Sequence, residues 1–116
     1  MSRSERHRLG DILAAVEAID RAEAVAQRHA EDDGVAEVAL AATQFHVFTI
    51  GEAVKALPRE VKDRQPDVPW SDIARMRDLI AHHYYKLDAT IVRATIGGPL
   101  DRLRAACEAL LAGTTD

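Results

Sequence analysis

The residues equipped for chemistry sit together in one stretch, Arg75-Met76-Arg77-Asp78-Leu79-Ile80-Ala81-His82-His83-Tyr84-Tyr85. A guanidinium, an imidazole and a phenol suit phosphodiester chemistry. Arg77 offers a permanent planar charge that matches a phosphate, and His82 can give or take a proton near neutral pH. On a helix, successive residues are about 100° apart. With Ile73 as zero, Met76, Ile80, His83 and Tyr84 fall within about 80° and form the core-facing side. His82 lies about 180° away and Asp78 about 140° away. His83 is therefore expected to pack and His82 to stand exposed. Asp78, four residues before His82, is within reach of its imidazole and would favour the protonated form. Arg77, on the flank, is about 140° from His82, so one chain does not aim both at one phosphate. Two copies paired about a two-fold axis would share a cleft.

Four main helices have to position that stretch. The first starts at Ser2, whose spacing to Glu5 is that of a capping box. Leu9, Ile12, Leu13, Val16 and Ile19 recur every three or four residues, and the run EDDG up to Gly34 is expected to end it. The second helix runs from Val35 to Leu57 and stops at Pro58. Its apolar residues form two lines, Val38-Ala42-Phe45-Thr49 and Val47-Ile50-Val54-Leu57, the pattern of a central helix touched on several sides. A short helical turn over Pro58–Arg64 and a loop, QPDVP, lead to a third helix from Trp70 to about Tyr84. The fourth runs from Asp88 to Gly113. Ile96, Leu100, Leu103, Cys107 and Leu110 form its packing seam, and Gly97-Gly98-Pro99 kinks or breaks it. The expected fold is all-α: an antiparallel four-helix bundle with a short extra helix and a kinked last helix, in one domain over 1–116.

Composition agrees with this. Of 116 residues, 47% are hydrophobic, 29% charged and 4% aromatic. Such a chain can form a core, and its 21 alanines favour helices over strands. The longest uncharged stretch, the fourteen residues Val38–Gly51, is too short and too polar to span a bilayer. The single Cys107 forms no internal disulfide, which fits a reducing cytoplasm. The net charge is −4, with eight acidic residues against two basic ones from Asp11 to Glu37. A bulk polyanion binder is therefore excluded, and any nucleic-acid chemistry must be local to the second half.

No metal or cofactor is expected. His82 and His83 point about 100° apart and no Cys stands at ligand spacing, while Gly97-Gly98 lacks the strand and lysine of a phosphate loop. His46 reads as a core histidine, Cys107 as an inert packed thiol and Trp70 as a packing anchor. Glu52 either pairs with another helix, Arg77 being a candidate, or stands exposed.

Arg77, four residues, His82, one residue and Tyr84 match the Arg-x-x-x-x-His-x-Tyr motif of HEPN-domain ribonucleases. Through IGEAVKALP (Ile50–Pro58), VPWSDIARMRDLIAHHYYKLD (Val68–Asp88) and Ile91-Val92, the chain resembles the HepT-like toxin family. That resemblance implies a small helical bundle that forms a homodimer, with paired motifs making a metal-independent endoribonuclease cleft. It implies catalytic roles for Arg77, His82 and Asp78, and a supporting role for Tyr84. It also implies a partner, an MntA-type nucleotidyltransferase antitoxin, which transfers AMP onto the motif tyrosine, here Tyr84. Otherwise Tyr84 packs on the core side and Tyr85 is the more exposed phenol. The sequence departs from the family pattern at His83, where aspartate is frequent, and at Gly97-Gly98-Pro99. Two alternatives stand beside the toxin: a non-catalytic nucleotide-binding or partner-binding subunit of a nucleotidyltransferase, and a plain dimerisation bundle.

Overall fold

The structure, a computed structural model, describes residues 1–83 and 89–113. Its helices in chain order are α1 (Arg3–Arg28), α2 (Asp33–Ala56), α3 (Arg59–Asp63), α4 (Trp70–His83), α5 (Ala89–Arg93) and α6 (Gly98–Ala112). Among the described residues there is no strand, as the alanine-rich, aromatic-poor composition predicts.

Ser2 caps α1: its Oγ accepts from the Glu5 N–H at 3.1 Å and donates to the Glu5 carboxylate at 2.9 Å. Leu9, Ile12, Ala15, Val16 and Ile19 form the buried face of α1. The acidic run after it has a different role from the expected one. Asp32 accepts from the N–H groups of Gly34 and Val35 at 2.9 and 3.2 Å, so it caps the start of α2. A carboxylate is favoured there because it satisfies free N–H groups at the positive end of the helix dipole.

Along α2, Val47, Ile50, Ala53 and Val54 are buried, but Val38 is 71% and Phe45 64% exposed. The expected central helix is touched by α1, α4 and α5, but the line through Val38 and Phe45 is left uncovered. A helical wheel shows where apolar residues point, not whether another element reaches them. α1 packs along α2, α4 packs on α2, and α6 packs on α1.

Pro58 ends α2 as expected and serves as the N-cap of α3. The Trp70 indole N–H donates to the carbonyls of Lys62 and Gln65 at 3.1 and 2.9 Å. Lys62 Nζ in turn donates to the Val54 carbonyl at 3.3 Å. These bonds fasten the start of α4 beside the C-terminal end of α2, so α4 runs back antiparallel to α2. Trp70 is the expected anchor.

The expected kinked last helix is broken outright into α5 and α6. Gly97 has φ +91°, a conformation that side chains with a Cβ rarely adopt, and Pro99 occupies the first turn of α6. Beyond the break the seam is as expected, with Leu100, Leu103, Cys107 and Leu110 buried. Arg104 pairs with Asp20, and Arg93 pairs with Glu23 at 2.9 Å, joining the end of the chain to α1. Burial, with a smaller push from Glu108, raises the Cys107 thiol to about 12, so it is inert near neutral pH. No helix among the described residues is long and apolar enough to cross a membrane.

Candidate active site

α4 meets α2 at a point where α2 has no side chain. A Cβ on the buried Gly51 would overlap the Cβ of Arg77, and would lie 2.9 Å from its Cγ and 3.3 Å from its Cα. The absent side chain lets the Arg77 backbone settle against α2. From there the guanidinium meets three neighbours. Its Nε and Nη2 donate to Glu52 Oε1 at 3.0 and 2.5 Å. Its Nη1 donates to Asp78 Oδ1 at 3.1 Å. Its central carbon lies 4.9 Å from the centre of the Phe48 ring, a cation–π contact. The same Asp78 oxygen accepts from Lys55 Nζ at 2.9 Å.

Phe48, Gly51, Glu52 and Lys55 therefore act as one surface, because residues at spacings of three, four and seven share a helix face. Sequence reasoning singled out Glu52 alone, and left its partner open; the structure makes it Arg77. The roles of Phe48, Gly51 and Lys55 went unread. The available signal was this spacing in IGEAVK, with a glycine amid larger side chains.

The charges settle each other. The hydrogen bond to Glu52, then the one to Asp78, raises the Arg77 guanidinium above its ordinary value. Lys55 first and Arg77 second hold Asp78 below its ordinary 3.8. Two cations face two carboxylates. Of the five guanidinium N–H groups, three point at carboxylates. One on Nη1 and one on Nη2 remain as donors for a phosphate.

His82 is exposed, as expected. His83 is exposed too, so the expectation that it packs is overturned. It sits at the edge of the core-facing sector, and the buried line of α4 ends at Ile80. The two rings stand edge to face with centroids 6.5 Å apart. Asp78 does not orient His82: among the described residues no hydrogen bond or ion pair joins them, and its carboxylate is held by Lys55 and Arg77. Arg77 and His82, five residues apart, diverge by about 140° and lie about 7.5 Å apart along the axis. They do not converge within one chain. His46 is partly buried against the edge of Phe45, with ring centroids 5.1 Å apart, rather than in the core. Tyr84 and Tyr85 lie outside the described residues. Among the described residues no group of three or more His, Cys, Asp or Glu could hold a metal ion.

Residues 15–110 match the family described as "Ribonuclease HepT-like". Over 114 residues, 95% of this chain and 98% of the relative, the sequence is 32% identical to "Probable ribonuclease HepT" of Thermococcus cleftensis. Over 47 residues, 40% of this chain and 42% of the relative, it is 47% identical to a Caldanaerobacter subterraneus protein with a provisional RNase name. A Methanocaldococcus jannaschii protein named in the same way is 46% identical over 43 residues, 37% of this chain and 36% of its own. No solved structure matches the chain.

Proposed function

The chain belongs to the HepT-like ribonuclease family and is an RNA-cleaving enzyme, and from that premise we propose that it is the endoribonuclease toxin of a type II toxin–antitoxin pair, working without metal at a cleft shared by two copies. The observation that carries this reading is the state of Arg77. Its guanidinium is fixed by Glu52 and Asp78 with one N–H on Nη1 and one on Nη2 left over. Those donors take oxygens of the scissile phosphate and stabilise the negative charge that grows on them. His82, exposed on the same helix, acts as general base on the RNA 2′-hydroxyl or as general acid on the leaving oxygen. The 2′-oxygen attacks phosphorus, the bond to the 5′-oxygen breaks, and a cyclic phosphate is left. Asp78 serves the site by holding Arg77, and Tyr84 supports the phosphate.

In this reading the chain works as one domain in the cytoplasm, and an MntA-like nucleotidyltransferase silences it by attaching AMP to Tyr84. The added phosphate would compete with RNA for Arg77. The decisive experiment incubates purified protein with total RNA in excess EDTA. Wild type should cleave, and Arg77→Ala and His82→Ala should not, with helical circular dichroism unchanged in both. Cleavage that survives His82→Ala, or that stops in EDTA, refutes the mechanism. After co-expression with the antitoxin, an adduct of about 329 Da should appear on the Tyr84 peptide and vanish in Tyr84→Phe.

A further inference from the structure

A cavity of about 260 Å³ opens between the start of α4 and the break that separates α5 from α6. Pro69, Ile73, Met76 and Pro99 make its floor apolar, and three polar side chains stand around it: Asp72, Thr95 and Arg102. No step of the cleavage described above uses them. We propose that this cavity is a guanine subsite, which holds one unpaired base of the RNA strand near the cut. The proposal rests on the ribonuclease activity and adds the base that the enzyme reads.

Size and lining select a base. Pockets for drug-sized ligands run from about 300 to 1,000 Å³, so this one suits a smaller, flat molecule. A nucleobase has apolar faces and a polar edge, and single-stranded RNA is read by bases splayed out of the stack. Bases turned out in this way enter pockets with apolar walls. Thr95 points to a ligand as well. It is 7% exposed, and its hydroxyl has no hydrogen-bond partner among the described residues. The sealed, unpartnered side-chain oxygen among those residues is that of Thr43, so the Thr95 hydroxyl opens on the cavity that its residue lines. A mostly buried hydroxyl is normally hydrogen-bonded, and the edge of a bound base supplies the bond.

Asp72 selects guanine. Its carboxylate is exposed and makes only a loose 3.7 Å pair with Arg75. A carboxylate is acceptor-only and takes two parallel N–H donors, as it does from a guanidinium. Guanine presents such a pair, N1–H beside the N2 amino group, whereas the other three bases alternate donor and acceptor on that edge. Arg102 takes the phosphate of the same nucleotide. Its Nη1 would lie 3.4 Å from a Cβ placed on Gly98, so the guanidinium leans over the start of α6, where Gly97 provides no side-chain cap. A cation at the positive end of a helix is disfavoured, and a phosphate between them, bound by the free N–H groups, removes that conflict. Asp72 stands five residues before Arg77 on α4, about 7.5 Å along the axis, so one short strand reaches both the subsite and the cut.

The test uses the full chain in two arms. One measures binding of GMP, AMP, CMP and UMP by saturation-transfer NMR, and the other measures cleavage of short single-stranded RNAs that differ at one base. Wild type should bind GMP in preference to the other three. Its kcat/KM should be about 10-fold or more higher on RNAs that carry a guanine, with cuts at one constant offset from it. Asp72→Asn offers one donor and one acceptor, the pair that suits adenine. The preference should then pass from guanine to adenine, with circular dichroism unchanged. Ala94→Leu, at an exposed position that lines the cavity, should abolish the base preference while cleavage persists. If wild type cleaves with no preference for guanine, or the preference survives in both variants, the subsite is wrong and the ribonuclease stands. If GMP binds and Asp72→Asn releases it but no RNA is cut, the base site stands and its place in cleavage falls. With neither binding nor cleavage, both fall.

Discussion

Arg77 gives three of its five N–H groups to its own chain, and the carboxylate that takes two of them, Glu52, touches no other described partner in the site. Glu52→Gln removes that charge while keeping shape. The guanidinium should then sample other directions, and kcat/KM on RNA should fall by between about 10- and 100-fold; steady-state cleavage assays check this, with circular dichroism to show an intact fold. Asp78 provides a second handle. Lys55 and Arg77 hold its carboxyl below 3.8, so its bonds stabilise the fold at higher pH, and that contribution disappears as pH falls through the lowered value. Melting temperatures of wild type and Asp78→Asn should differ at pH 7 and converge in the acid range below 3.8. Residue types and spacing made Arg77 and His82 candidates, and the resemblance to the Arg-x-x-x-x-His-x-Tyr ribonucleases supplied their roles. The spacing misplaced His83 and the partner of Asp78. A wheel fixes angles about an axis, but the end of the core along α4 and the reach of Lys55 from α2 depend on a second helix.

Gly51 decides how closely α2 and α4 approach. In most helix interiors Gly→Ala stabilises by about 0.5 to 1 kcal/mol. Here the added methyl would collide with Arg77, and the helices must part, a change that costs about 1 to 3 kcal/mol by overpacking. Gly51→Ala should therefore lower the midpoint of denaturant unfolding, and RNA cleavage should fall with it because Arg77 moves. An unchanged or raised midpoint would refute the close contact. Helix periodicity disclosed α1 and the α6 seam, since burial follows a repeat of three and four. It said less about boundaries. EDDG reads equally as an end or a beginning until Asp32 is seen to cap α2, and Gly97-Gly98-Pro99 reads as a kink until the positive φ of Gly97 shows a break. The outer line of α2 looked like core because a wheel shows where apolar residues point and not whether another element reaches them.

At the scale of the whole molecule, a net charge of −4 limits how RNA is held. At the proposed site, attraction comes from a few cations around Arg77 rather than from a basic surface. With two or three phosphates contacted, the affinity of the uncleaving His82→Ala variant for single-stranded RNA should fall with salt at a log–log slope of about −1.4 to −2. Fluorescence anisotropy across a salt series measures it, and a slope several times steeper would mean an extended RNA track. The bundle also has an order of assembly written into its pairings. α1 and α2 are neighbours in sequence, and α4 closes on α2 soon after, whereas α6 covers α1 through contacts such as Arg104 with Asp20, 84 residues apart. On a ribosome adding about 5 to 20 residues per second, the 34 residues between Asp78 and Ala112 take roughly 2 to 7 s. Through that interval Leu9, Ile12, Val16 and Ile19 have no α6 to cover them. The arginine clamp is therefore complete on a nascent chain whose stabilising lid has yet to be translated.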